Sequence, residues 1–157
     1  YHHFGIPKYQ LAQKLSGVFR HKLLAPAHPL VRGFDDEFFA PHSRNTEVHR
    51  EDILPHPELE ILSVSNAAGV HLIARNDGRQ FFVTGHLEYD RETIANEYFR
   101  DVKKGLNPAV PQNYFPNDDV TQRPLFNWRS HGHLLFSNWL NYYVYQATPY
   151  DLYGTSF

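Results

Sequence analysis

Residues 69–84 read GVHLIARNDGRQFFVT, and this stretch predicts a β-hairpin. Two arms, 69–74 and 79–84, flank Asn76-Asp77-Gly78, a tripeptide that favours the positive φ angles of a tight turn. The second arm is mostly apolar, as a strand covered on both faces would be. A β-sheet is therefore expected in this fold.

Further strands are predicted on the amino-terminal side of the hairpin. The segments 16–24 and 59–65 have the apolar patterns of strands. The segment 38–48 is interrupted by Pro41, which cannot donate a ladder hydrogen bond, and this favours an edge strand, a bulge or a loop.

Two helices are predicted after the hairpin. The first runs from Arg91 to about Lys104, with Asp90 as its N-cap and Gly105 just beyond it. The second runs from about His131 to Tyr145 and is stopped by Pro149. Their apolar stripes are formed by Ile94, Tyr98 and Val102 in the first helix, and by Leu135, Trp139, Tyr142 and Tyr143 in the second.

The order of these elements indicates an α/β layer fold in one domain. The Pro- and Asn-rich segment 107–129 between the helices is predicted to be an ordered loop. The chain has 157 residues, which suffices for one ordinary domain, and it shows no internal repeat or linker.

Composition excludes several classes of protein. The 15 basic residues against 17 acidic ones leave no cationic excess for binding nucleic acid. A hydrophobic content of 41% is too high for a disordered chain. No apolar run reaches the ~18 residues of a membrane span, and no signal peptide opens the chain. There is no Cys, hence no disulfide or cysteine nucleophile from this chain. There is also no Met, so we expect a piece of a longer protein.

The segment 84–90, TGHLEYD, is the first candidate site, because ligands gather where strands of open α/β sheets end. Alternate residues of an extended segment project to one side, which brings His86 and Glu88 together. A carboxylate beside an imidazole orients the ring, as in a base–orienter pair. The alternative is a polar strand end with a locally bonded His86 and a solvated Glu88.

Four other polar residues are candidates for substrate binding, and each also has an ordinary structural interpretation. Ser43 could hydrogen-bond a substrate, and Arg44 could clamp a carboxylate with two hydrogen bonds. The alternative for both is a Ser-containing turn with a solvated Arg. Lys14 could hold an anionic group or be an ordinary surface Lys. Arg100 lies on the first predicted helix, where the alternative is a surface salt bridge with a neighbouring acid.

Eleven His raise the question of a metal site. The close pairs, His2-His3 and His131-x-His133, lack the spacing with Glu that is typical of a helical zinc site. The histidines are scattered rather than clustered, so no metal is predicted.

Six motifs in order carry a family resemblance: KLSGVF (14–19), LVRGFDD (30–36), PHSRNTEV (41–48), GHLEYD (85–90), NYFPNDD (113–119) and HLLFSNWLNYY (133–143). The chain resembles the carboxyl-terminal half of the homoserine O-acyltransferases related to class I glutamine amidotransferases. The resemblance implies a flavodoxin-like, class I glutamine amidotransferase-like α/β fold, incomplete in this chain. Residues 1–157 would be the carboxyl-terminal part of a single acyltransferase domain.

The resemblance also implies a function. Family members are cytoplasmic enzymes of methionine biosynthesis that transfer an acetyl or succinyl group from coenzyme A to the homoserine hydroxyl through a cysteine acyl-enzyme. The implied partners are homoserine, the acyl-coenzyme A and the missing amino-terminal half, with a homodimer left open. No cofactor beyond acyl-coenzyme A as substrate, no nucleic acid and no membrane is implied.

By the family pattern, His86 is the general base and Glu88 is its orienting partner. Positions that match family substrate-binding residues are occupied by Lys14, Ser43 and Arg100. The family's cysteine lies in a stretch before the segment that matches 1–7, so the chain alone is predicted to be inactive. Two alternatives stay open: a relative that acylates another amino acid such as serine, and a non-catalytic binding module that retained the fold.

Overall fold

A computed structural model describes residues 3–148 and shows one five-stranded sheet with helices around it. The strands are β1 (Tyr9–Leu23), β2 (Glu37–Glu47), β3 (Leu59–Ser65), β4 (Gly69–Arg75) and β5 (Phe81–Val83). Their order in the sheet is β2-β1-β3-β4-β5, and each neighbouring pair is antiparallel.

Three α-helices of four or more residues accompany the sheet: α1 (Arg50–Ile53), α2 (Thr93–Lys103) and α3 (Arg129–Trp139). The chain continues from α3 into a π-helical turn, Leu140–Val144, and a last helical turn, Tyr145–Ala147. Short 3₁₀ turns occupy Pro29–Val31 and Pro116–Asp118. The mixture of strands and helices agrees with the predicted α/β class.

The hairpin forms as predicted, although its second arm differs. The Gly78 amide donates to the Arg75 carbonyl at 2.9 Å, and Gly78 has a φ of 69°, which a residue without Cβ adopts readily. The second arm is only three residues long, and Val83 is 44% exposed. The prediction that this arm is covered on both faces was therefore wrong for the part of the chain that the structure describes.

The interrupted segment forms β2 at the edge of the described sheet, which confirms the prediction of an edge strand. Pro41 lies opposite Val18 of β1. Farther along this pair, Gln10 lies opposite Thr46 but Leu15 lies opposite Arg44. Residues 11–14 of β1 thus face a single residue of β2, which makes a wide bulge.

Both predicted helices are present, with corrections at their ends. The residue before α2 is Glu92, so the prediction that Asp90 caps this helix was wrong. Asp90 instead accepts a backbone hydrogen bond from the Thr93 amide at 3.2 Å. The predicted apolar stripes are only partly buried, because Val102 is 46% and Trp139 41% exposed. The predicted stop at Pro149 lies outside the described residues.

The predicted loop is ordered and supplies part of the core. Trp128 and Tyr114 are fully buried, and both pack with apolar side chains of the sheet, such as Val18, Leu62 and Leu72. Gln112 hydrogen-bonds the backbone of β1 on both sides of Gly17. Among residues 3–148, no helix has the length and apolarity that crossing a membrane requires.

Candidate functional site

The candidate site is the segment 84–90, which follows β5 directly. Its backbone is bonded to two strands of the sheet. The Thr84 amide donates to the carbonyl of His71 on β4 at 3.0 Å, and the His86 amide donates to the carbonyl of Pro41 on β2 at 2.8 Å. These two backbone hydrogen bonds to the sheet therefore fix the position of the His86 backbone.

His86 and Glu88 form the predicted pair. A carboxylate oxygen of Glu88 lies 2.8 Å from Nδ1 of His86, while the intervening Leu87 is buried. This bond favours the tautomer with its proton on Nδ1, so that Nε2 carries the lone pair that a base needs. The two side chains are 36% and 52% exposed, so solvent and small molecules can reach them.

Tyr89 lies against the imidazole. Its ring stacks on that of His86 with 4.3 Å between ring centres and 6° between ring planes. Its carbonyl accepts a hydrogen bond from the indole nitrogen of Trp128 at 3.0 Å. Burial raises the pKa of the Tyr89 hydroxyl, and the nearby charge of Glu97 raises it further.

Glu97 of α2 gathers two of the predicted substrate-binding residues. One of its carboxylate oxygens accepts hydrogen bonds from the Ser43 hydroxyl at 2.5 Å and from the Lys14 ammonium at 3.1 Å. Its charge also acts on Tyr89. Glu97 therefore links β1, β2 and α2 beside the His86–Glu88 pair.

Glu97 is not among the site residues predicted from the sequence. The available signal was its spacing from Arg100, since residues three apart on a helix lie on one face. That spacing predicts that the Glu97 carboxylate lies on the same helix face as Arg100.

Arg100 forms the surface ion pair that was its alternative interpretation. Its Nε lies 2.9 Å from a carboxylate oxygen of Asp101, and its side chain is 54% exposed. Hydrogen bonding between the two raises the pKa of Arg100 and lowers the pKa of Asp101. Asp101 also lies 3.8 Å from the Lys14 ammonium. Arg100 thus lies at the exposed side of the charged group formed by Lys14, Glu97 and Asp101.

Arg44 has neither of the roles considered for it. Its guanidinium donates to the carbonyls of Thr46 at 2.5 Å and Ala68 at 2.8 Å, and its side chain is only 14% exposed. It ties β2 to the turn between β3 and β4. The prediction of a substrate clamp or a solvated Arg at this position was wrong, because both terminal nitrogens of the guanidinium already donate to backbone carbonyls.

Open space adjoins this group of residues at two places. A cavity of about 470 Å³ is lined by Lys14, Ser16, Tyr98 and Asp101, with residues of the loop after α2 on its other side. Another of about 630 Å³ is lined by Glu88, Tyr89 and residues of α3. Substrate groups can therefore approach both the Lys14 and the Glu88 ends.

Three histidines meet in the core beneath the site, which corrects the view that the histidines of this chain are scattered. We call His21, His42 and His71 the histidine cluster. Each side chain has a nitrogen within 4.8 Å of one on the other two, and all three residues are 0% exposed. They come from β1, β2 and β4, so only the sheet brings them together.

The hydrogen bonds of the cluster favour neutral rings over a metal site. Nδ1 of His21 bonds to the Phe19 carbonyl at 2.9 Å, so its Nε2 accepts from Nε2 of His42 at 3.1 Å. Nδ1 of His71 accepts from the Gly85 amide at 3.2 Å, which puts its ring proton on Nε2. A neutral ring with that proton has no lone pair on Nε2 for a metal, and among residues 3–148 this buried N–H has no hydrogen-bond partner.

The cluster predicts that the chain loses stability in mild acid. Burial lowers the pKa of His21 from 6.5 to about 4, that of His42 to about 2, and that of His71 well below 6.5. The charges of Arg44 and His86 disfavour protonation further. Below pH 6.5 the unfolded chain binds protons that the folded chain refuses until about pH 4, so the free energy of unfolding falls across this window.

The expected decrease at about pH 5 is on the order of 2 kcal/mol from His21 alone. Urea unfolding of the chain near pH 7 and near pH 5 measures it. His42→Asn should reduce the decrease, whereas the exposed His133→Asn should not. Equal free energies of unfolding at both pH values in the wild type would contradict the prediction.

Comparisons with known proteins give one consistent family. A family model described as homoserine O-succinyltransferase matches residues 1–150. The homoserine O-acetyltransferase of Bacteroides fragilis is 58% identical over 152 residues, which is 97% of this chain and 50% of that protein. The homoserine O-acetyltransferase of Petrotoga mobilis is 59% identical, with 97% and 49% covered. The chain thus spans about half the length of the curated relatives it matches.

Two solved structures share the fold at low sequence identity. The crystal structure of SMU.1228c superposes with a TM-score of 0.63 at 15% identity, over 90% of this chain and 57% of that one. A glutamine amidotransferase from Thermotoga maritima superposes with a TM-score of 0.57 at 13% identity, over 87% and 54%. The expected glutamine amidotransferase-like fold is confirmed.

Proposed function

The chain belongs to the homoserine O-succinyltransferase family, and from this premise we propose that it is the carboxyl-terminal half of an acyltransferase. The larger protein, which we call the full-length enzyme, would transfer an acetyl or succinyl group from coenzyme A to the hydroxyl of homoserine, a reaction of methionine biosynthesis in the cytoplasm. The observation that carries the proposal is the His86–Glu88 pair, bonded at 2.8 Å beside Glu97 and its partners.

The geometry of this pair supports the role of general base. A cysteine thiol from the other half of the enzyme would give its proton to Nε2 of His86, and the thiolate would bond to the thioester carbon. Coenzyme A would leave with that proton. The homoserine hydroxyl would then give its proton to the same nitrogen as its oxygen takes the acyl group, and the cysteine thiolate would leave and recover the proton. Glu88 would stabilise the imidazolium at each stage.

The charged group around Glu97 supports recognition of an amino acid. Homoserine has an ammonium and a carboxylate, and its site needs fixed partners of opposite charge. Glu97 would accept from the ammonium with Ser43 beside it, and Arg100 would exchange its exposed contact with Asp101 for the homoserine carboxylate. Lys14, which lines the cavity of about 470 Å³, would face the acyl donor.

The test is an assay of the full-length enzyme with acetyl- or succinyl-coenzyme A and homoserine. Release of free coenzyme A that depends on homoserine, with an O-acyl product, supports the proposal. Transfer to serine in preference to homoserine would change the acceptor but keep the mechanism. An active-site cysteine that forms no acyl-enzyme would overturn the enzyme assignment in favour of a binding module.

The role of Arg100 predicts a specific kinetic defect. In the full-length enzyme, Arg100→Lys should raise KM for homoserine about 10-fold or more, because an ammonium cannot reproduce a planar, two-pronged contact with a carboxylate. Acyl-enzyme formation from the thioester should stay close to wild type. Pre-steady-state kinetics that follow thioester cleavage and acceptor transfer separately measure both quantities.

Lys103→Arg, the reverse exchange on the same helix, is the matched control and should change neither step. If Arg100→Lys instead slows acylation while KM for homoserine stays unchanged, Arg100 is not the homoserine clamp.

A further inference from the structure

The histidine cluster has no part in the reaction described above, although it lies directly beneath the site. Its rings contact one another closely: the ring centres of His21 and His71 are 4.5 Å apart, and those of His42 and His71 are 5.5 Å apart. Polar rings at 0% exposure are costly to bury, so an apolar core would be the simpler solution for packing alone.

The cluster touches the site through Gly85, the residue before His86. The Gly85 amide donates to Nδ1 of His71 at 3.2 Å. A Cβ at Gly85 would come within 2.7 Å of Nε2 of His42 and 2.9 Å of Cε1 of His71. The backbone therefore rests directly on the two rings, and a larger residue at this position would displace either the rings or His86.

The neighbours of the cluster in sequence belong to the site as well. His42 lies between Pro41, whose carbonyl accepts from the His86 amide, and Ser43, which bonds to Glu97. On an extended strand His42 faces away from Ser43, so β2 has one residue toward the core and the next toward the proposed substrate. The cluster thus supports both the segment that carries His86 and the strand that carries Ser43.

We propose that His71 is a positioning residue for His86, acting through the Gly85 amide, and that His21 and His42 hold its ring in place. The inference rests on the proposed function only for its kinetic consequence. Its structural part, an Nε2-protonated His71 that accepts a hydrogen bond from Gly85, stands independently. A misplacement of a reacting group by about 1 Å costs about 100-fold in rate, so support of this kind can matter for catalysis.

The structural part is tested on the wild-type chain by nitrogen-15 NMR of the imidazole rings and by exchange of the Gly85 amide. We expect His71 to have an unprotonated Nδ1 and the Gly85 amide to be protected. A proton on Nδ1 of His71, or a shift of the ring signals on adding Zn²⁺ at equimolar concentration, would overturn the proposal, the latter in favour of a metal site. Failure of acyl transfer in the full-length enzyme would leave this result unaffected.

The kinetic part is tested by two substitutions in the full-length enzyme that separate hydrogen bonding from packing. His71→Asn keeps an acceptor near the position of Nδ1 but loses volume, whereas His71→Leu keeps volume and loses the acceptor. If His71 positions His86, His71→Leu should lower kcat about 10-fold to 100-fold, and His71→Asn should retain most of the wild-type kcat. KM should stay unchanged in both variants.

Ile73→Ala is the matched control, because it opens space on the same strand in a separate apolar cluster. It should lower Tm without the loss in kcat. The opposite order, with His71→Leu more active than His71→Asn, would show that the cluster contributes only packing and would overturn the proposal. Should neither variant fold, the NMR result on the wild type decides alone.

Discussion

The 157-residue chain, assayed alone with acetyl- or succinyl-coenzyme A and homoserine, is expected to transfer no acyl group. The chain contains no Cys, and the proposed mechanism needs a cysteine thiolate to take the acyl group from the thioester. Loss of the nucleophile costs about 10⁶-fold in a well-studied protease. Turnover is measured as release of free coenzyme A against a no-enzyme blank.

The positive control is the same chain mixed with a separately expressed amino-terminal half of the Bacteroides fragilis relative. When the two halves associate, acyl transfer should reappear, and the proposed mechanism requires that it depend on a cysteine in the added half. Turnover by the chain alone at a rate near that of the full-length enzyme would refute the assignment of His86 and Glu88 to a triad with a cysteine.

The second large effect is expected from His86→Ala in the full-length enzyme, which should lower kcat about 10⁴-fold or more. The reason is that, in the proposed mechanism, Nε2 of His86 would accept the proton of the thiol in the first half of the reaction and that of the hydroxyl in the second. Both acylation and acceptor transfer should therefore slow together, which single-turnover measurements can show. Glu88→Gln should have a smaller effect in the same direction.

The chain contains a matched control for this substitution. His56 and Glu58 have the same spacing, and Nδ1 of His56 lies 3.7 Å from a carboxylate oxygen of Glu58. They lie in the connection between α1 and β3, away from Glu97 and Ser43 in sequence. His56→Ala should leave kcat within about twofold of wild type. An equal loss in both variants would show that neither effect is specific to the proposed base.

That internal control also shows why the spacing of a His and a Glu could not identify the site by itself. His86 is distinguished from His56 by its position after β5 and by the stacking of Tyr89 at 4.3 Å. The position after a strand was predictable from local sequence, because the hairpin has a strong turn signal. The stacking could not be predicted in this way, because it depends on the backbone conformation of the segment 84–90.

The contacts that the sequence did not reveal join distant parts of the chain. Glu97 meets Ser43 across 54 positions and Lys14 across 83 positions, so no local pattern contains either pair. The histidine cluster likewise arises from the order of strands in the sheet. The wrong predictions at Asp90 and Arg44 have the opposite cause, because both relied on the common local role of the residue type. Asp often caps a helix and Arg is often solvated or binds a carboxylate, but here Asp90 precedes the cap position and Arg44 donates to backbone carbonyls.

The bulge in β1 has a consequence for how this site can diverge. Residues 11–14 face one residue of β2, whereas pairing from Leu15 onward is regular. A change of length in the bulge would be absorbed there, without shifting which side chains beyond Leu15 face the core. Lys14 and the wall of the adjoining cavity would move, while His21 would keep its place. If Lys14 faces the acyl donor as proposed, insertions and deletions in this strand would change the donor side of the site and leave the strand positions of His21 and His42 unchanged.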